Sequence, residues 1–129
     1  MTWNAFHQRD TILRAVITTA DARLDGILPL DVPGVTETFA DDLAVLSALQ
    51  LRWHTRLAGR IERTLMGGPP DAGAPVVSPW QETADELPGI RAIIDHYAAA
   101  PTSAEMSRAL AVSAAKERQL LAGMTALAS

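Results

Sequence analysis

Phe39 to Leu65 reads FADDLAVLSALQLRWHTRLAGRIERTL. Its large apolar residues, Phe39, Leu43, Leu46, Leu49, Trp53, Leu57, Ile61 and Leu65, advance by three or four without a break. That step keeps side chains on one face of a helix, where a strand would need a step of two. Thr36 or Thr38 is placed to open the element and Gly67-Gly68-Pro69-Pro70 to close it. The spacing therefore predicts a helix over about 37–66, a rod of roughly 45 Å at 1.5 Å per residue. Charge agrees: Glu37, Asp41 and Asp42 sit at the end where a helix dipole favours anions, Arg60 and Arg63 at the end that favours cations.

A rod with one apolar face must be covered by others, and the flanking sequence supplies them. Upstream, Phe6, Leu13, Val16, Ile17, Ala20 and Leu24 recur at helical spacing, giving a helix over about 4–24 that stops at Asp25-Gly26. The connector ILPLDVPGV is apolar for a loop, so Ile27, Leu28, Leu30 and Val32 are expected to lie against the helices. Downstream, residues 67–77 read as a flexible loop. Ser78-Pro79-Trp80-Gln81 then has the serine, proline and glutamine of a capping box. It opens a helix over about 79–99, broken or kinked near Pro88, whose ring crowds the carbonyl of Ala84. Thr102 with Glu105 makes a second box, opening a helix over about 103–128 whose apolar face holds Met106, Leu110, Ala114, Leu121, Met124 and Ala128. The expectation is one all-α domain spanning 1–129, an up-and-down four-helix bundle with a broken third helix.

Composition narrows the function. The chain has 129 residues, 48% hydrophobic, 20% charged and 5% aromatic, enough to bury a core without cross-links. With no cysteine, disulfides, thiolate nucleophiles and cysteine zinc sites are excluded. A net charge of −4 opposes general attraction to nucleic acid or an anionic membrane. The start, MTWNAFHQRD, lacks a signal-peptide pattern, and no apolar run approaches a membrane span, so a cytoplasmic setting is the expectation.

Three groups of residues are candidates for a site. Arg52, Arg56 and Arg60 form a four-step basic stripe beside Trp53 and His54. Guanidinium forks suit phosphates or carboxylates, while the plainer expectation is pairing with Glu82, Asp85 or Glu86. His54, at the edge of the apolar seam, invites comparison with phosphotransfer histidines. Those are typically followed by lysine at +3 and glycine at +4, whereas HTRLAGR offers Leu57 and Ala58. Asp10, His54 and Glu117 each interrupt the seam of a different helix and form a candidate metal set. Glu117 is the informative member, because an unpaired carboxylate is costly to bury. The chain has no Glu-x-x-His of the kind di-iron bundles use, no phosphate loop and no nucleophile elbow. No cofactor is implied.

Taken together, LPLDVPGV, LQLRWHTRLAGRIER and WQETADELPGIRAIIDHY resemble a family of small all-helical actinobacterial proteins of unassigned function. The resemblance covers nearly the whole chain and implies a bacterial cytosolic setting, with no activity or cofactor attached. The sequence reads best as a non-enzymatic interaction module, self-associating (a homodimer) or an accessory subunit of a larger assembly. Leu51 and Ala58, off the main seam, together with Trp3 and Val76-Val77, are the expected contact residues. A metal- or small-ligand-binding bundle and histidine phosphotransfer through His54 are the alternatives.

Overall fold

The computed structural model describes residues 3–67 and 78–128, and among them every regular element is a helix. In chain order these are α1 (Trp3–Arg23), α2 (Val35–Thr38), α3 (Asp42–Met66), α4 (Pro79–Glu86), α5 (Pro88–Ala99) and α6 (Ala104–Ala128). Among the described residues no helix is long and apolar enough to cross a membrane.

The long helix opens later than its apolar spacing predicts. Asp41, in extended backbone (φ −159°, ψ −179°), accepts the Ala44 N–H at 2.8 Å and caps α3. A short carboxylate on extended backbone captures a free first-turn amide. Residues 35–38 form a separate single turn, α2, and Phe39 leaves it extended (φ −110°, ψ 136°). Phe39 still reaches the core from this linker, 3% exposed, with the Arg9 guanidinium 4.6 Å from its ring centre. Helical period continued across residues that are not one helix.

The break at Pro88 is present. Ser78 Oγ accepts the Gln81 N–H at 3.0 Å to start α4, and the chain leaves the helix at Leu87 (φ −121°, ψ 58°) before Pro88 opens α5. The returning arm of the expected box is absent, because the Gln81 amide donates to Asp85 at 2.9 Å instead. Gly89 follows, and its N–H donates to Asp21 Oδ1 at 3.0 Å. A Cβ there would stand 2.5 Å from the Ala20 carbonyl carbon, so glycine lets α5 rest on the α1 backbone. At α6 the cap is Ser103, which accepts the Met106 N–H at 3.0 Å; Thr102 turns its hydroxyl to Met106 Sδ and Asp42 Oδ2, 3.5 Å each.

One core joins these elements. Val45, Leu46, Leu49 and Trp53 of α3 meet Val16 and Ala20 of α1, Ile90 and Ile93 of α5, and Met106 and Leu110 of α6. α3 packs on α4, α5 and α6, whereas α1 lies chiefly on α5. Half of the connector joins: Leu28 is buried, its N–H bonded to the Tyr97 hydroxyl at 3.2 Å, and Val32 packs against the core. Ile27 and Leu30 stay exposed, as does Leu24, which follows the end of α1 with φ +49°. The side chains of Trp3, Phe6 and Ala128, and the loop 68–77 with Val76-Val77, lie outside the described residues.

Candidate functional site

The arginine stripe lies along α3, and acids on two other helices meet it. Arg60 bonds Glu82 at 2.9 Å and also Glu86; Arg56 lies 3.4 Å from Glu86, and Arg52 3.9 Å from Asp10. Asp10 is held more closely by Arg14, one turn along α1. The stripe is thus tied to α4 at one end and to α1 at the other.

On the neighbouring face, polar and aromatic groups converge. Trp53 from α3 and Trp80 from α4 meet edge to face, ring centres 5.8 Å apart. Both indole N–H groups donate to Glu117 Oε1 of α6, 2.8 Å each. Arg91 of α5 adds a third donor at 3.2 Å, its guanidinium carbon 4.6 Å from the Trp53 ring centre and 5.4 Å from that of Trp80. Asp95, one turn along α5, takes the outer side of Arg91. The side chains of Arg91 and Glu117 are only 14% and 18% exposed, so this pair is well shielded from water. The sequence singles out Glu117 and, in a separate group, Trp53, but does not join the two, and leaves Trp80 and Arg91 outside the candidate site. The signal was there in outline: a carboxylate on an apolar face requires donors, and tryptophans on facing seams carry them.

His54 adjoins this cluster. It is 8% exposed, its Nε2 lies 2.7 Å from Ser113 Oγ, and its Nδ1 is buried with no hydrogen-bond partner among the described residues. Burial lowers its pKa below 6.5, and Lys116 and Arg91 push the same way while Glu117 opposes them. His54, Ser113, Arg91 and Glu117 line one cavity of about 60 Å³. Asp10 is not among its lining residues. Among the described residues no group of three His, Asp or Glu side chains is arranged to hold a metal ion. The structure brings His54 and Glu117 together and leaves Asp10 with its arginines.

The opposite edge of α3 faces a wider space. An open groove of about 620 Å³ runs between α1 and α3, over Leu13, Ala48, Leu51 and Gly59 and beside Arg52, Arg56 and Arg63. Leu51 is 65% exposed. Trp53, one step from the stripe in sequence, points the other way and is 1% exposed. Comparison with family models, with curated proteins and with solved structures finds no match, so the functional reading rests on this geometry.

Proposed function

We propose that the protein is a non-enzymatic helical interaction module, an accessory subunit that offers the groove between α1 and α3 to a protein partner. The observation that carries this reading is Leu51, a large apolar side chain left mostly in water beside an open groove. An apolar side chain beside an open groove matches how helices are received by other proteins. In the same reading α1, α3, α4–α5 and α6 act as the rods of an up-and-down bundle. Two sets of contacts support it. Arg60–Glu82 and Arg56–Glu86 pair α3 with α4 in opposite directions, while Asp42–Thr102 and His54–Ser113 pair α3 with α6 in the same direction.

A second reading, a small-ligand site at His54 and Glu117, draws on their shared cavity. Its volume of about 60 Å³ admits a guest on the scale of one or two waters, at ~30 Å³ each in the liquid. Phosphotransfer has less support, since one His54 nitrogen meets Ser113 and the other is buried.

The interaction reading is tested by placing a photo-cross-linking residue at position 51 in cells that make the protein, with exposed Gln119 of α6 as the control position. A discrete adduct from position 51 and none from 119 is expected. No adduct at 51, or the same adducts from both, would overturn it.

A further inference from the structure

Resting on that interaction reading, we infer that the occupant of the α1/α3 groove is an acidic amphipathic helix of another protein. The first ground is charge. α3 carries Arg52, Arg56, Arg60 and Arg63 against Asp42 and Glu62, within a chain of net charge −4. Arg60 is committed to Glu82 and Glu86. The three arginines beside the groove are held more loosely. Arg52 and Arg56 make only long contacts, 3.9 Å and 3.4 Å, with side chains 28% and 50% exposed. Arg63 makes no ion pair among the described residues. Long, partly exposed pairs contribute little, so Arg52 and Arg56 can exchange their partners for carboxylates from outside, and Arg63 can take one directly.

Shape is the second ground. Ala48, Thr55 and Gly59 line the groove with small side chains on α3, and a Cβ built on Gly59 would meet nothing within 4 Å. Gly59 lies eleven positions after Ala48, about 17 Å along the helix, which matches roughly three turns of an opposing helix. Such an occupant would set apolar residues at i, i+3 and i+7 over Leu51 and Leu13 and carry Glu or Asp on its flanks. A second copy docked groove to groove would instead bring three arginines against three, since a two-fold contact repeats the same patch. Charge therefore selects a different, acidic partner.

The test uses the full chain and two fluorescein-labelled helical peptides with the same leucine pattern, one flanked by glutamate and one by lysine. Binding is read by anisotropy at low and physiological salt, with Leu51→Glu and Arg56→Glu/Arg63→Glu as variants. All three positions are exposed; unchanged circular dichroism and Tm would confirm that each variant folds. The glutamate peptide is expected to bind, to weaken with salt, and to lose about tenfold or more in affinity with either variant. The double variant should reverse the preference toward the lysine peptide. Equal binding of both peptides, with Leu51→Glu still abolishing it, would keep the groove as an interaction surface and reject the acidic partner. A concentration-dependent dimer cross-linked through position 51 would replace the partner with a second copy. No binding by either peptide, with no adduct at 51, would remove both readings.

Discussion

Oε1 of Glu117 accepts from Trp53, Trp80 and Arg91, so four helices share a single acceptor. Replacing Glu117 with leucine strands two indole N–H groups and a shielded guanidinium, a loss of about 3 kcal/mol. Glu117→Gln keeps an acceptor oxygen but not the charge, and should cost nearer ~1 kcal/mol. Chemical denaturation of both variants checks the order; equal losses would mean that the charge, not acceptance, holds the cluster. His54 gives a pH dependence of definite sign. Its native pKa is depressed below 6.5, so the unfolded chain binds the proton more readily. The His54 contribution is therefore complete above pH 6.5 and is lost as pH falls through the depressed native value. A shallower fall in stability for His54→Gln over that window is the expected result, and an identical slope in both proteins would refute it. Glu117 was legible in the sequence as an anomaly on an apolar face. Arg91 was not, because Asp95 stands four residues on, at the spacing of an ordinary pair along one helix, and nothing local points to a second partner.

At the scale of elements, Gly89 offers a test in which two effects have opposite signs. Within a helix, glycine to alanine normally stabilises by ~1 kcal/mol. Here the added Cβ would stand 2.5 Å from the Ala20 carbonyl carbon and 2.6 Å from the Asp21 nitrogen, so α5 must lift off α1. The steric term wins: Gly89→Ala is expected to destabilise by about 2 kcal/mol, since overpacking of this kind costs ~1–3 kcal/mol. A rise in Tm would show that the two helices separate without penalty. Caps separate what the sequence made legible from what it did not. Ser78 and the break at Pro88 are local chemistry and could be read directly. The start of α3 could not, because Thr36, Thr38 and Asp41 are all capping residues and Phe39 sustains the helical period from outside the helix. Asp41→Ala should cost ~1 kcal/mol, and Thr38→Ala a few tenths at most; the reverse order in thermal melts would return the helix start to Thr38.

For the whole molecule, the all-helical class followed from periodicity, while the relative directions and spacing of the helices depended on contacts far apart in sequence. Arg52 meeting Asp10, and the Trp53–Trp80–Glu117 junction, join residues that no window of the chain contains together. The same long-range arrangement leaves positive charge concentrated beside one groove of an acidic protein. That has a consequence for self-association. Two grooves brought face to face must overcome repulsion among arginines within a Debye length, ~8 Å at physiological ionic strength. The wild-type chain should therefore remain monomeric through this face at low salt. Arg56→Leu/Arg63→Leu removes most of that repulsion and extends the apolar surface around Leu51, and should raise the mass in solution toward a dimer as concentration increases. Light scattering across a concentration series decides it. A wild-type chain that dimerises as readily as the double variant would show that the arginines do not govern contact at this face, and an unchanged monomer in both would show that Leu51 and its surroundings are too small an apolar area to join two copies.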